Sequence, residues 1–404
     1  MRRVFTWHHF EMPILFIVLL LLSARLLIST GYQGLLFSHD SPLLYHAGTL
    51  AFNYFDFGFV RRGLGGSIVH LIGGEVLRAT AIFHMLSAAM ASAVACCFVA
   101  RLEHPARRAT FIVLLVALVM RWAEDAGRTD MSVAAIIGSA VLALRAQRPV
   151  LACALVAIGL AIHETSFVYG IPLLLALGLE RRLWRSRDRL ALLGAGAVLV
   201  AAFALYLALD RLPRADAQTM VDTVQSRLPR RDEVDWAIYY AISGARGVRT
   251  SLCQNAVDPS YLMHVGGGLL LIAVFLAVLG VRGRSLWPAL LVSVPPFLFL
   301  SYVANDISRW AVLAAFNAWL FCASRSEEDT IDFARWRPVI AIAAILLIHP
   351  KTWKVEYPIY VPTPVLERIV QEFGGPRTPS VSRALEVCDP GWRSVLQQRQ
   401  TGLR

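Results

Sequence analysis

Acidic and basic side chains recur together in four separate stretches of the sequence. Arginine presents a planar fork of N–H donors that suits phosphate, and a carboxylate in a partly desolvated pocket can accept a proton. A site built from these stretches would therefore combine anion binding with acid–base chemistry. The stretches contain Asp40, Asp56, Arg61 and Arg62; Arg121, Glu124, Asp125, Arg128 and Asp130; His163 and Glu164; and Asp306 and Arg309.

The first stretch surrounds its charges with aromatic residues, including Tyr54, and with the glycine-rich run FGFVRRGLGG. Glycine lets a backbone approach a ligand closely, whereas aromatic side chains suit a sugar face and the membrane interface equally. This segment is therefore interpreted either as a ligand-binding loop or as a loop that anchors in lipid headgroups.

The elements that must position these residues are membrane helices. The chain has 404 residues, of which 57% are hydrophobic and 17% charged, whereas a soluble domain is about 45–50% apolar and about 25% charged. Its net charge of +11 lies mainly in arginine clusters between apolar runs, without a basic–aromatic motif, so nucleic acid is excluded as a partner. The composition predicts an all-α, polytopic transmembrane helical bundle.

A bilayer core of about 30 Å needs about 20 helical residues, and the sequence contains about eleven apolar runs that approach this length. The predicted spans are residues 12–30, 79–100, 109–122, 131–145, 149–163, 165–180, 189–209, 263–281, 286–304, 309–323 and 338–349.

Arginine is concentrated in every second loop, which the positive-inside rule assigns to the cytoplasm. The sequence therefore predicts a transmembrane domain over residues 1–349 in a bacterial inner membrane, with the N-terminus cytoplasmic and the C-terminus extracytoplasmic. A first outer loop (31–78), a second large outer loop (210–262) and a tail (350–404) then lie on the outer side. The stretch LGGSIVHLIGG is too short to span and is predicted to form an interfacial helix.

The histidine and glutamate at positions 163 and 164 are predicted to lie below the outer surface. The fifteen residues from Pro149 to His163 span about 22 Å as a helix, less than the bilayer core. A buried His-Glu pair needs water or partners, which implies a polar cavity open to the outside. The pair Pro295-Pro296 is expected to break the ninth span, as happens where a helix lines a cavity.

Only two of the six cysteines, Cys253 and Cys388, fall in hydrophilic segments, and both are predicted to lie outside, where oxidation is permitted. We expect a disulfide between them. No CxxC pair or HExxH spacing occurs in the sequence, so no metal site is predicted.

The architecture resembles the GT-C superfamily of membrane glycosyltransferases, whose donors are polyprenyl-phosphate-linked sugars. Asp40 with Tyr45 and Ala47 is similar to that family's loose "D…Y.A" pattern after the first span. The segments FGFVRRGLGG, GRTD (127–130), HE (163–164) and NDISRW (305–310) also resemble bacterial membrane proteins associated with surface polysaccharide. The resemblance implies transfer of a sugar to a cell-envelope glycan or lipid acceptor, with membrane lipids around the protein and without a cofactor.

The family's chemistry requires a base for the acceptor hydroxyl and cations for the leaving phosphate. The resemblance therefore assigns catalysis to Asp40 first, then Asp56, with His163 and Glu164 as base or acceptor-orienting groups. Phosphate and substrate binding is assigned to Tyr45, Tyr54, Arg61, Arg62, Arg128, Asp130, Asp306 and Arg309.

Each assignment has a structural alternative. Asp306 and Arg309 are one helical turn apart and pair with each other in that alternative, whereas Arg128 and Asp130 cap the fourth span. Asp56 would then be a solvated surface residue and Asp40 a turn residue before Ser41-Pro42.

Three further functions remain open from the sequence. A polysaccharide polymerase of the O-antigen or exopolysaccharide type would use similar chemistry. A transporter or flippase would place ionisable groups along a path to both faces. A membrane scaffold would leave the paired acids and bases without a purpose.

Overall fold

The structure, a computed structural model, describes residues 11–24, 42–60, 62–123, 127–179, 186–210, 217–228, 232–242, 245–257, 261–281, 283–304, 306–325 and 387–391. Within these ranges the chain forms helices and contains no strand, which confirms the all-helical prediction. The helices are α1 (Glu11–Ala24), α2 (Pro42–Leu50), α3 (Tyr54–Phe57), α4 (Gly63–Ile72), α5 (Val76–Val99), α6 (Pro105–Ala123), α7 (Asp130–Arg145), α8 (Pro149–Ile162), α9 (Thr165–Leu179), α10 (Ser186–Asp210), α11 (Ala217–Arg227), α12 (Asp232–Ile242), α13 (Ala245–Val257), α14 (Tyr261–Val278), α15 (Leu286–Val303) and α16 (Ile307–Ala323).

Among the described helices, three are long and apolar enough to cross a membrane: α5, the Arg189–Ala208 part of α10, and α15. The most apolar window of α10 is only 17% buried by protein, against 56% for α5, so α10 presents most of its surface outward. A described helix overlaps each of ten of the eleven predicted spans, whereas the eleventh, residues 338–349, lies outside the described residues.

Helix α16 forms the centre of the bundle and packs against α5, α6, α7, α9, α14 and α15. Every residue from Trp310 to Ser324 is buried. The fully buried Trp319 stacks on Phe316, with ring centroids 5.9 Å apart, and donates its indole N–H to the Phe111 carbonyl at 3.0 Å. Because α16 is held on all sides by its neighbours, its first turn, which carries Arg309 and follows the N-cap Asp306, has a fixed position in the bundle.

The sequence predicted a break in this helix at Pro295-Pro296. That prediction is wrong, because α15 continues through both prolines. Pro296 has no N–H to bond the carbonyl four residues earlier, that of Val292. The side-chain amide of Asn317 in α16 supplies the missing donor, with Nδ2 3.0 Å from the Val292 oxygen and 2.8 Å from the Tyr169 oxygen of α9. A neighbouring helix thus satisfies the backbone group that the proline exposes.

The first and second predicted outer loops pack into one layer at one end of the bundle. Its apolar core joins α2 and the α2–α4 connection to α11 and α12, with Leu43, Phe52, Val224 and Ile238 among its buried side chains. This layer lies beside the start of α7, since a Cβ at Gly127 would meet Leu43 and His46 of α2. Helix α2 also packs on α4 and α5.

A disulfide joins Cys253 of α13 to Cys388 of the tail, across 135 residues, with Cα atoms 5.6 Å apart. This is the pairing expected from the sequence. Next to it, the Tyr239 hydroxyl of α12 donates to Asp389 Oδ2 at 2.6 Å. The tail is therefore fastened to the layer of loop helices; within residues 350–404, the structure describes 387–391.

The opposite end of the bundle is marked by arginines that cap α16. Arg107 donates from Nη2 to the Cys322 carbonyl at 2.9 Å, and Arg145 donates from Nη1 to the Ser324 carbonyl at 2.6 Å. These carbonyls belong to the end of a helix that carries partial negative charge, which cations stabilise.

Replacing the amide that serves α15 tests the substitute hydrogen bond. Asn317→Leu leaves the Val292 carbonyl without its donor, and we expect the free energy of unfolding to fall by about 1–2 kcal/mol. In a Pro296→Ala background the restored N–H bonds that carbonyl, so the same substitution costs less. Reversible unfolding in mixed detergent micelles measures both losses. Equal losses in the two backgrounds would contradict this account.

Cys253→Ser, Cys388→Ser and the double variant should lose the same stability, about 2–4 kcal/mol, because each removes one and the same crosslink. Thermal unfolding in detergent measures the losses. Cys97→Ser, at an exposed free cysteine of α5, is the matched control and should leave stability unchanged. Additive losses from the two single variants would show that no crosslink joins these residues.

Candidate functional site

The guanidinium of Arg309, in the first turn of α16, is the centre of a connected group of charged side chains. Its Nε lies 2.6 Å and 2.9 Å from the two carboxylate oxygens of Asp130. Its Nη1 lies 3.4 Å from Asp306 Oδ2, and its Nη2 faces His163 Nε2 at 3.2 Å. Arg309 and Asp130 are only 8% and 4% exposed, so each would be a costly buried charge without the other.

A second arginine, Arg62, holds Glu164 through two parallel contacts. Its Nε donates to Glu164 Oε2 at 2.9 Å, and its Nη2 contacts Oε1. Burial alone would lower the pKa of Arg62, but the Glu164 carboxylate outweighs it and raises that pKa above its usual value. Arg62 therefore stays charged, and its backbone N–H donates to the Tyr206 hydroxyl of α10 at 3.1 Å.

His163 connects the two arginines. Besides its contact with Arg309, its Nδ1 lies 3.7 Å from Glu164 Oε2 and 2.9 Å from the Thr165 hydroxyl. Arg128 extends the group on the other side, with Nη2 3.6 Å from Asp306 Oδ2. We call the connected residues the polar cluster; they are Arg62, Arg128, Asp130, His163, Glu164, Asp306 and Arg309.

Four helices begin at the polar cluster. Arg62 is the N-cap of α4, Asp130 is the first residue of α7, and Asp306 is the N-cap of α16. His163 and Glu164 immediately precede α9. A helix N-terminus carries partial positive charge and unpaired N–H groups, which favour anions. The cluster therefore lies in an electropositive setting, in addition to its arginines.

One part of the cluster is exposed, whereas another part is buried. Asp306, Arg62 and Glu164 are 40%, 31% and 20% exposed, whereas Asp130 is 4% and His163 3% exposed. The arginine and carboxylate charges within the cluster balance. An anionic ligand would therefore have to compete with the exposed carboxylates for their arginines.

Tyr45 of α2 lies close enough to the cluster for the charges of the cluster to act on its hydroxyl. Desolvation, followed by the Asp306 carboxylate, raises its pKa above the ordinary value, although Arg62, Arg128 and Arg309 oppose the shift. The hydroxyl therefore stays protonated at neutral pH and available as a neutral hydrogen-bond donor.

The glycine-rich run brings Arg62 to Glu164 by allowing α4 to pack closely. A Cβ at Gly66 would lie 1.8 Å from the Phe52 carbonyl oxygen, and one at Gly63 would lie 2.3 Å from the Tyr54 ring. The glycines thus admit protein atoms, rather than a ligand as the sequence suggested. Arg62 itself has the left-handed backbone conformation (φ 62°, ψ 14°), which is strained for a non-glycine residue.

Asp56 lies apart from the polar cluster. Its Oδ2 accepts from Arg227 of α11 at 2.6 Å and from Asn53 at 2.7 Å, and it lies 3.8 Å from His70. The hydrogen bond from Arg227 is the largest cause that lowers the pKa of Asp56 below its usual value. This carboxylate joins the two predicted outer loops and is a poor candidate for a base. Tyr54, likewise, packs over Gly63 and stacks on Phe59.

The structural alternatives considered for the other charged residues are met only in part. Asp306 and Arg309 do pair within their helical turn, but Arg309 also bonds Asp130 of α7. Asp130 bonds Arg309 instead of capping α7 together with Arg128. Asp40 and Arg61 lie outside the described residues, so their roles stay predictions.

Sequence reasoning missed two contributors, Thr165 and Tyr206. A threonine directly after His-Glu, at the start of a helix, could have indicated the first as a side-chain cap. The second is a tyrosine near the end of an apolar span, the usual position of an interfacial aromatic residue.

No family profile, curated protein or solved structure matches the chain. Within the described part of the chain, no group of three or more His, Cys, Asp or Glu side chains is placed to hold a metal ion. The polar cluster is therefore the feature of the described chain that bears on its function.

Gly66→Ala tests the close packing of α4. The added methyl group meets the Phe52 backbone, which cannot move aside as a flexible side chain could, and we expect a loss of about 1–3 kcal/mol in unfolding free energy. Gly194→Ala, in α10, has no atom within 4 Å of the added group and should stabilise the helix by about 0.5–1 kcal/mol. Thermal unfolding in detergent compares the two. Equal effects would show that α4 does not depend on the glycine.

Proposed function

We propose that the protein is a membrane glycosyltransferase of the GT-C type, with about eleven spans, which moves a sugar from a polyprenyl-phosphate-linked donor to a glycan or lipid acceptor. The observation that carries the proposal is the convergence of three arginines and four helix N-termini on one partly open cluster. Arginine forks and helix N-termini are both suited to phosphate oxygens.

The exposed edge of the cluster supports binding of the donor phosphate. Arg62 and Arg128 are held by Glu164 and Asp306, which are the more exposed carboxylates. A phosphate that approaches from this side would displace these carboxylates, whereas the deeper Asp130 would remain on Arg309. Tyr45 would add a neutral donor at the same edge.

In the transfer step, the acceptor oxygen forms a bond to the anomeric carbon while the bond from that carbon to the phosphate oxygen breaks. The acceptor proton passes to a carboxylate, and the negative charge that develops stays on the lipid phosphate beside the arginines. Asp40, two residues before α2, remains the first candidate for this base. A carboxylate released from Arg62, that of Glu164, is the second.

Two features support an outer location for the cluster. The Cys253–Cys388 disulfide is fastened to the same layer of loop helices, and disulfides persist in oxidising compartments. The arginine caps of α16 lie at the opposite end, as the positive-inside rule expects of a cytoplasmic end.

Sugar transfer in membrane vesicles, from a panel of polyprenyl-phosphate and polyprenyl-diphosphate sugars, tests the proposal. Arg309→Lys keeps the charge but loses the planar fork whose separate nitrogens meet Asp130, Asp306 and His163, and we expect kcat to fall about 10²–10³-fold. Asp40→Ala should abolish transfer without loss of folded protein. Arg249→Ala, at an exposed arginine of α13, is the control and should change the rate less than twofold.

The products separate the alternatives. Addition of a single sugar supports the transferase, whereas long chains built from lipid-linked repeat units would identify a polymerase. Gradient-driven solute uptake without consumption of any donor would overturn the proposal in favour of a transporter.

A further inference from the structure

His163 is only 2% exposed, and hydrogen-bond donors face both of its ring nitrogens. On one side, Nε2 lies 3.2 Å from Arg309 Nη2. On the other, Nδ1 lies 3.2 Å from the backbone nitrogen of Thr165 and 2.9 Å from its hydroxyl oxygen. The guanidinium and the backbone N–H can only donate, whereas the hydroxyl can donate or accept.

This arrangement excludes the doubly protonated ring. An imidazolium has an N–H at both positions, so it would face the Arg309 N–H with one of them and place two cations in contact. The Glu164 carboxylate, 3.7 Å from Nδ1, is already held by Arg62. His163 therefore occupies this place as a neutral ring with one lone pair.

The lone pair belongs to Nε2. A hydrogen bond from a charged guanidinium is about twice as strong as one between neutral groups, so the ring gains more by accepting from Arg309 than from the Thr165 backbone. The proton is then on Nδ1, where the Thr165 hydroxyl oxygen accepts it at 2.9 Å and the Glu164 carboxylate lies beyond. In this state the Thr165 backbone N–H, 3.2 Å from Nδ1, loses the ring nitrogen as an acceptor, which is the smaller of the two costs because no charged group is involved.

We propose that His163 is a positioning residue, protonated on Nδ1, that fixes the guanidinium of Arg309 and does not take a proton from a substrate. Its lone pair, the one place where a proton could bind, is occupied by Arg309. The base in the proposed transfer must therefore be a carboxylate.

The contact determines which edge of Arg309 meets a ligand. Asp130 and His163 hold Nε and Nη2 from the buried side, which leaves Nη1 directed toward Asp306 at the exposed edge. Without His163, Asp130 alone would hold this side of the guanidinium, through Nε and through Nη2, which lies 2.6 Å from Asp130 Oδ1. The identity of the ligand at Nη1, a lipid phosphate, rests on the proposed function, whereas the state of the ring does not.

The first test needs no substrate. Nitrogen NMR of ¹⁵N-histidine-labelled full-length protein in nanodiscs, with His163 assigned by difference from His163→Gln, distinguishes the states of the ring at neutral pH. We expect a proton-bearing Nδ1 and a bare Nε2. An imidazolium, or a proton on Nε2, would overturn the proposal even if the protein proves to be a glycosyltransferase.

The second test compares two amide replacements of the same residue. In His163→Gln the side-chain oxygen takes the place of Nε2 and can accept from Arg309, whereas in His163→Asn the amide reaches only as far as Nδ1. We expect kcat for sugar transfer to stay within about fivefold in the first and to fall at least about 50-fold in the second, as for loss of one oriented donor.

Equal losses in the two variants, with both proteins folded, would contradict a positioning role. If no donor is consumed even by the unchanged protein, the proposed function fails, and the NMR result still decides the state of His163.

Discussion

The buried guanidinium of Arg309 is stable only while it is paired with the carboxylate of Asp130. This requirement fixes how the helices of the bundle are aligned. The two residues open different helices, α16 and α7, and are separated by 179 positions in the sequence. Because either charge alone would be costly at this depth, the two helices must begin at the same level. Because α16 also packs against α5, α6, α9, α14 and α15, the position of α16 along its axis affects how these helices pack as well.

Steric fit, rather than charge, decides where the second arginine lies. Gly63 and Gly66 let α4 approach the Phe52 backbone and the Tyr54 ring at distances that any side chain would prevent. Arg62 adopts a left-handed conformation at the start of that helix. Strain of this kind persists only where surrounding contacts enforce it, and here the bond to Glu164 and the contact with Tyr206 do so.

Local patterns predicted the features that depend on nearby residues. Pro149 and the polar pair at His163 set the ends of α8, and the position of two cysteines in hydrophilic segments indicated their pairing. Features that depend on distant partners were inaccessible. The continuity of α15 depends on an amide in another helix, and Asp56 is held by an arginine 171 residues away. No spacing rule within one segment contains such information.

The fastening of the tail has a consequence for biosynthesis. Cys388 follows α16 in the sequence, so its partner on α13 waits through the synthesis of α14, α15 and α16 before the bond can form. In the proposed orientation, the bond can close only after the tail has been translocated. Oxidised protein would thus mark chains in which the helices between the two cysteines have been inserted into the bilayer.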